Sequence, residues 1–319
     1  MTAQHSPGTA GAPTLVRTRD EFATALARQD AERPGSPDAP GRAVVMTMGA
    51  LHAGHLALVA AAKASARSVV VTIFVNPLQF GPDEDLDRYP RDLDGDVALL
   101  TSPGLLGAGD VVFAPSTDVV YPDGDPVVRV SPGRLGDVLE GLARPRHLDG
   151  VLTVVLKLLH LTRPDVAWFG QKDAQQVAAV RRMVADLDVP VTIREAATVR
   201  DVDGLALSSR NAYLASVDRR RALALSRAVG AAVDAGARGA TPDGVRATAR
   251  GVLAGVVDVE YAELVDPVSF ERVVDGPPGR RALFVVAARV GATRLIDNAW
   301  VTLGAPHADP TTEQAEVAR

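Results

Sequence analysis

Two histidines three positions apart, His52 and His55, stand with Gly54 in the stretch Thr47-Met48-Gly49-Ala50-Leu51-His52-Ala53-Gly54-His55. A short apolar run, Ala43 to Met46, precedes it, and an Ala- and Leu-rich run without Gly or Pro follows from Leu56 to Ala66. The pattern reads as strand, tight turn and helix, with the imidazoles at the helix entry. Free N–H groups at a helix N-terminus favour anions, and a residue without a side chain lets a ligand approach the backbone. Imidazole donors beside them would stabilise charge growing on a phosphate. The plain alternative is a pair of surface histidines in a turn. The chain has only 6 histidines, so two at one helix entry favour the phosphate site.

Other polar groups fall at comparable places. Asn76 and Gln79 follow the apolar run Val69 to Val75, where a strand's carboxyl end would meet a ligand, although Asn-Pro is also ordinary turn chemistry. Gln171-Lys172-Asp173-Ala174-Gln175-Gln176 follows the run Val166 to Gly170 and opens a helix expected to end near Leu187. There Lys172 suits a phosphate, Asp173 suits ribose hydroxyls, and Gln176 lies one turn on. Ser208-Ser209-Arg210 offers two hydroxyls and a guanidinium to phosphate oxygens. Lysines occur only at Lys63, Lys157 and Lys172 in a chain that writes its other cations as Arg, which makes each a candidate compact charge. Lys157 and His160 sit on an apolar helix expected over 150–161 and read as snorkelling or capping groups rather than catalysts. The acidic stretch from Pro82 to Asp96 reads as a solvated surface, as a mobile cover, or as part of a Mg²⁺ site.

These groups need an α/β scaffold to hold them. Helices are expected over 19–29, 94–101, 134–142, 218–237 and 242–253. Strands are expected at 43–46, 69–75, 110–114, 127–130, 166–170 and 190–195, and β-like runs at 257–264, 282–290 and 294–296. Alternating strands and helices give way near 198–205 to helices followed by a small antiparallel sheet. The expected division is a nucleotide- and substrate-binding domain over 1–198, a smaller α+β domain over 199–303 and a disordered tail over 304–319. Residues 1 to about 12 are expected to be disordered, and 34–41 to form a flexible connector.

A net charge of −5 argues against nucleic-acid binding driven by bulk charge. The absence of cysteine excludes disulfides and thiolate metal sites and suits a reducing cytoplasm. No apolar run of membrane-spanning length occurs, so a cytoplasmic protein with no membrane partner is expected.

Five stretches together resemble the pantothenate synthetase (pantoate–β-alanine ligase) family. They are the 47–55 element, Ile73-Phe74-Val75-Asn76-Pro77-x-Gln79-Phe80, Tyr89-Pro90-Arg91, Phe169-Gly170-Gln171-Lys172-Asp173-x-Gln175-Gln176, and Ser208-Ser209-Arg210-Asn211. The His-x-Gly-His element alone marks only a wider nucleotidylyltransferase superfamily. Met46, where the family pattern has Pro, and Ala174, where it has an aromatic, depart from it.

The resemblance implies a Rossmann-like parallel-sheet domain, a homodimer, and an ATP-dependent ligase using Mg²⁺. Pantoate would be adenylated, and β-alanine would then attack, giving pantothenate, AMP and pyrophosphate. Carried over, His52, His55 and Lys172 are catalytic. Met48, Gly54, Gly170, Lys172, Asp173, Val199, Ser208, Ser209 and Arg210 bind ATP, and Met48, Gln79 and Gln176 bind pantoate. Asn76, Tyr89 and Arg144 are weaker candidates, as is Asp96 towards Mg²⁺. The alternatives are another nucleotidylyltransferase of the His-x-Gly-His type and a non-catalytic nucleotide-binding paralogue.

Overall fold

The computed structural model describes residues 11–31, 40–82, 84–101 and 104–304. The elements in chain order are β1 (Thr14–Val16), α1 (Arg19–Ala31), β2 (Arg42–Thr47), α2 (Ala53–Ser65), β3 (Ser68–Ile73), α3 (Leu93–Thr101), β4 (Val111–Phe113), the single turn α4 (Thr117–Val120), the single turn α5 (Glu140–Ala143) and α6 (His147–Thr162). After these come β5 (Val166–Gly170), α7 (Ala174–Asp186), β6 (Thr192–Ala196), α8 (Ser216–Ala237), α9 (Pro242–Leu253), β7 (Asp258–Val265), β8 (Arg281–Val290) and β9 (Thr293–Thr302). The chain divides into two compact units, Met1–Gln171 with Ala179–Val199, and Lys172–Ala178 with Arg200–Arg319.

The first unit is built on a six-stranded parallel sheet in the order β1-β4-β3-β2-β5-β6. Its central strands are Val- and Ala-rich without alternation, as strands covered on both faces should be. Ala43, Val44, Val45, Val69, Val70 and Val71 are all fully buried. On one face Val45, Val69 and Val71 join Val59 and Ala62 of α2, Leu100 of α3 and Val112 of β4 in a single apolar cluster. The chain leaves β2 towards β3 and β4 on one side and later returns to β5 and β6 on the other. The strand order therefore reverses between β2 and β5, and ligands of open parallel sheets bind beyond the carboxyl ends at such a point.

The second unit packs α8 and α9 on a three-stranded antiparallel sheet, β7-β8-β9. Ala222, Ala228 and Ala232 of α8 and Val245 and Ala249 of α9 meet Phe284 and Val286 of β8 in its core. Small residues along α8 let a helix approach the sheet closely.

Several elements differ from expectation for local reasons. No strand forms at 127–130; Val127 and Val128 are almost wholly exposed among turns set by Pro122, Gly124 and Pro126. The helix expected over 134–142 breaks into a 3-10 turn, Gly133–Gly136, and α5, with Leu139 between them at φ +47°. Two glycines in that window, Gly136 and Gly141, weaken the helix, and Gly141 lies so close to Gly136 that a Cβ would stand 2.2 Å from its carbonyl oxygen. The helix expected from Gln171 begins instead with a 3-10 turn, Gln171–Asp173, so Lys172 and Gln176 do not share one α-helical face. β9 runs well past Ile296 because buried Asp297 and Asn298 interrupt its apolar pattern. β1 was too short to show a pattern. The disorder expected at 1–12 and in the tail falls mostly outside the described residues, at 1–10 and 305–319, as does most of the 34–41 connector.

Gly150 of α6 shows how tightly the first unit holds its loops. A Cβ there would stand 2.1 Å from the Leu78 carbonyl oxygen and 2.7 Å from the Gln79 nitrogen. Gly150→Ala is therefore expected to destabilise the protein by about 1–3 kcal/mol or more, because backbone must move. Gly230→Ala in α8, where a Cβ meets nothing within 4 Å, is expected to stabilise it by about 0.5–1 kcal/mol. Urea unfolding of both variants checks the opposite signs.

Candidate functional site

The turn after β2 is held from below by one carboxylate. Gly49 and Ala50 have φ values of +80° and +50°, a left-handed conformation that disfavours Ala by about 1–2 kcal/mol. Asp96 of α3 offsets this: its Oδ2 accepts from the Ala50 N–H at 3.0 Å and its Oδ1 from the Leu51 N–H at 2.7 Å. Gly49 has no freedom to change, since a Cβ would lie 2.8 Å from Asp96 Oδ2. The Thr47 hydroxyl donates to the Thr72 carbonyl of β3 and accepts from the Gly49 N–H, tying the turn to the sheet. Asp96 is 3% exposed, and burial pushes its carboxyl above the ordinary value, opposed by the two amide hydrogen bonds. It serves as a clamp on the turn. Both oxygens of this candidate Mg²⁺ ligand are thus engaged by backbone amides.

His52 is the N-cap of α2, in extended conformation. Its Nδ1 accepts from the Gly54 N–H at 3.1 Å, and the Nδ1 of His55 accepts from the His52 N–H at 3.3 Å. This is a capping box made of two imidazoles. Its consequence is chemical. A neutral ring whose Nδ1 accepts carries its proton on Nε2, so the box sets both tautomers. The rings lie side by side with centroids 4.1 Å apart. The Gly54 N–H at this helix entry donates to His52, so the turn presents imidazole N–H donors.

The next loop carries a second set of groups. Asn76 caps the 3-10 turn Pro77–Gln79. Its Nδ2 donates to Gln79 Oε1 at 3.1 Å and to the Gly150 carbonyl at 3.1 Å. Gln79 Nε2 points to the Met48 sulfur at 2.9 Å, so Met48, Asn76 and Gln79 form one cluster beside the His52 turn. A cavity of about 480 Å³ is lined by Met48, Gly49 and Phe74 and, from the acidic stretch, by Leu86, Asp87 and Arg91.

Arg144 makes a bidentate pair with Glu84 of the acidic stretch, at 2.7 and 2.6 Å. Its third nitrogen donates to His147 Nε2 at 2.9 Å, while His147 Nδ1 donates to the Gln79 carbonyl at 2.8 Å. Arg144 thus braces the Gln79 turn. Tyr89 is buried in its own loop, edge-on to Phe80 with centroids 5.8 Å apart. Gly170 ends β5, paired with Ala196 of β6, and Val199 lies shortly after β6, half-buried. Met46, one of the departures from the family pattern, stands in β2 in register with Thr72.

Lys172, Asp173 and Gln176 belong to the second unit, as do Ser208, Ser209 and Arg210. Buried Asn298 of β9 donates from Nδ2 to the Lys172 carbonyl at 2.8 Å and anchors that turn. Ser208 caps the 3-10 turn Ser209–Tyr213, its hydroxyl accepting from the Arg210 N–H at 3.3 Å. Next to it Arg200 pairs with buried Asp297 at 2.7 and 2.9 Å. Lys63 proves structural: it pairs with Asp110, whose carboxylate also accepts from Val69 and Gly107 amides. Lys157 lies over the Tyr121 ring, 5.4 Å from its centroid.

Sequence reasoning missed Gly49, Glu84, His147, Gly150 and Asn298 as members of these clusters. A Gly directly after a strand was the only local signal; the others act through partners about 60 to 130 residues away.

The family described as Pantoate-beta-alanine ligase matches residues 15–300. Pantothenate synthetase of Thermobifida fusca is 56% identical over 303 residues, covering 91% of this chain and 96% of the relative. Pantothenate synthetase 4 of Frankia alni is 52% identical over 89% of this chain and 96% of its own length. Among solved structures, the pantothenate synthetase of Thermus thermophilus superposes with a TM-score of 0.79 at 41% identity, covering 90% of this chain and 98% of that one. The pantoate-beta-alanine ligase of Francisella tularensis, solved with beta-gamma ATP and β-alanine, gives 0.70 at 31% identity over 90% and 97%.

His147 makes the brace pH-sensitive. Burial and the neighbouring Arg144 guanidinium lower its pKa from 6.5 to about 4. The unfolded chain therefore takes up a proton below pH 6.5 that the folded chain refuses until about pH 4. Stability is full above the ordinary value and falls as pH drops through that window, by at most roughly 3 kcal/mol. His147→Gln, which can still donate to Gln79 and accept from Arg144, is expected to flatten the dependence. Urea unfolding of both proteins between pH 4.5 and 7, chosen to span the window about those two values, checks it.

Proposed function

The chain belongs to the pantoate-beta-alanine ligase family and is an ATP-dependent ligase forming pantothenate, and from this premise we propose that it works through a pantoyl-adenylate made at the His52–His55 turn. The observation that carries the proposal is the imidazole capping box, which presets two N–H donors at the switch point of the parallel sheet. A pantoate carboxylate oxygen attacks the α-phosphorus of ATP, and pyrophosphate leaves. The amine of β-alanine then attacks the acyl carbon, loses a proton, and expels AMP with the bridging oxygen. A carboxylate is already a competent nucleophile, so the first step needs no general base. What it needs is alignment of two anions and donors that meet the charge growing on the phosphoryl group.

In this reading His52 and His55 contact the phosphates through Nε2. Lys172, Ser208, Ser209 and Arg210 hold the triphosphate; Gly54 and Asp173 face the ribose; backbone at Gly170 and Val199 meets adenine. Gln79 and Gln176 bind pantoate, with Met48 on its methyl groups. The binding of ATP and β-alanine by the Francisella relative supports these substrates. Asn76 and Arg144 act on Gln79, and Tyr89 packs the covering loop. Mg²⁺ enters with the phosphates of ATP. Asp96 stays the candidate among the described residues to face that ion, with the second lone pairs of oxygens that also accept the Ala50 and Leu51 amides. The division into a nucleotide- and pantoate-binding domain over 1–198 and a smaller domain over 199–303, the cytoplasmic location and the homodimer belong to the same proposal and rest on the sequence patterns and family resemblance. Among the described residues no helix is long and apolar enough to cross a membrane.

Pantoate labelled with ¹⁸O in its carboxylate is expected to pass one labelled oxygen to AMP, read by mass spectrometry of the AMP formed. His52→Ala and His55→Ala are each expected to slow that transfer by roughly 10²–10³, the usual loss for one donor to a reacting oxyanion. Unlabelled AMP would exclude the adenylate, and near-normal transfer in both variants would exclude the histidines.

Lys172→Arg is expected to lose most adenylation, nearly as much as Lys172→Ala. An ammonium is a compact charge with three rotatable donors, and a guanidinium is a planar fork with a longer reach. A Lys172→Arg enzyme within about threefold of wild type, well under the ~1.4 kcal/mol of a tenfold change, would make Lys172 an ordinary surface cation. Steady-state rates of the two variants decide it.

A further inference from the structure

We propose that Tyr121 is a positioning residue that, through Asn76, holds the Gln79 amide with its N–H group rather than its oxygen towards the substrate. The inference rests on Gln79 being a pantoate ligand and goes beyond it by naming what orients that ligand. Tyr121 follows α4 and is 4% exposed; Asn76 is 1% exposed. The Tyr121 hydroxyl donates to Asn76 Oδ1 at 2.9 Å.

Donor and acceptor types determine the rest, whichever way the amides are drawn. The Leu78 backbone N–H, 3.3 Å from one terminal atom of Asn76, can only donate, so that atom is Oδ1. The Gly150 carbonyl, 3.1 Å from the other, can only accept, so that atom is Nδ2. Nδ2 also faces Gln79 at 3.1 Å, which requires Gln79 to turn its oxygen inward. Gln79 Nε2 is left facing the Met48 sulfur, a weak acceptor with nothing to donate. The amide therefore offers donors, which suits the carboxylate or a hydroxyl oxygen of pantoate. The other end of the residue is fixed as well, since its carbonyl accepts from His147 Nδ1 at 2.8 Å.

Within this chain the Leu78 contact is long, and Tyr121 supplies the short bond to Asn76 Oδ1. Tyr121 is itself held by packing, with the Phe74 ring centroid 6.1 Å from its own and the Lys157 ammonium over its ring, 5.4 Å from the centroid. Burial raises its pKa, so the hydroxyl keeps its proton and stays a donor. Without it, a buried amide oxygen keeps one weak partner, and both amides gain freedom to turn over. A turned Gln79 would set its oxygen against pantoate's oxygens.

The test compares the full-length wild-type enzyme with Tyr121→Phe, Gln79→Ala, the two combined, and Asn76→Asp. Tyr121→Phe is expected to raise the pantoate KM about tenfold, the upper worth of one neutral hydrogen bond, with the ATP KM within about twofold of wild type. The combined variant is expected to match Gln79→Ala, because a residue acting through Gln79 has nothing left to act on. Asn76→Asp offers Gln79 only acceptors, turns its amide round, and is expected to impair pantoate at least as much as Gln79→Ala; if it does not fold, Tyr121→Phe, which deletes one oxygen, carries the test. A further rise from Tyr121→Phe in the Gln79→Ala background would overturn the positioning role. So would an unchanged pantoate KM in Tyr121→Phe beside an impaired Gln79→Ala. An unchanged pantoate KM in Gln79→Ala would overturn the pantoate reading instead. The orientation is then read from the ¹H–¹⁵N signals of the Gln79 side-chain amide, which Tyr121→Phe is expected to move; unmoved signals would overturn the proposal.

Discussion

The structure around the candidate site depends on a buried carboxylate that accepts two backbone amides. Asp96 reaches from α3 to the turn after β2 and holds Ala50 and Leu51 in place. Hydrogen bonds to a charged acceptor contribute about 1.5–3 kcal/mol each, enough to exceed the strain of a left-handed Ala50. The turn then delivers the chain to His52 in the extended conformation an N-cap needs. The imidazole box, the tautomers of both rings and the direction of α2 follow from that entry. A clamp made by a different helix also couples the turn to the rest of the apolar cluster, since Leu100 lies one turn beyond Asp96 on α3.

The same device recurs within each unit. Polar side chains that look like ligand groups are first used to hold other ligand groups: Asn76 holds Gln79, Arg144 and His147 hold its carbonyl, and Asn298 holds the Lys172 carbonyl. Buried polar groups are expensive unless paired, so a network of this kind has few alternative arrangements. That rigidity suits the proposed adenylation, in which the protein supplies no nucleophile. Its contribution is alignment and preset donors, and both decay with small displacements.

The cations divide along similar lines. Arg200 and Arg144 form bidentate pairs with carboxylates, where a planar fork is favoured. Lys63 meets a single buried carboxylate already engaged by two backbone amides, and Lys157 lies against an aromatic face. Scarcity of lysine therefore marked positions where a compact ammonium is useful, without marking which of them faces a ligand.

Much of the scaffold was legible in the sequence because it is local. The Val-rich runs at 43–46 and 69–75, the glycine-free helix that follows the His52 turn, and the Pro242 helix start each carry their own period and caps. The candidate site was legible as a proposal, because His-x-Gly-His at a strand–helix junction and amides after a strand suit phosphate and polar substrate chemistry. The sequence could not show which polar groups face a ligand and which face each other. Asp96 stands in an acidic run, and its work as a clamp was invisible there because its partners lie 45 and 46 residues away. The cap on the Gly54 amide was likewise invisible, because it is made by the His52 ring turning back on it. The short β1, the exposed Val127–Val128 segment and the broken helix before Glu140 were decided by packing and by glycine contacts that no periodicity records. Chain neighbours set the elements; hydrogen-bond partners supplied by other elements set the orientation of nearly every side chain that matters to the chemistry, since buried donors and acceptors must be matched wherever the fold brings them.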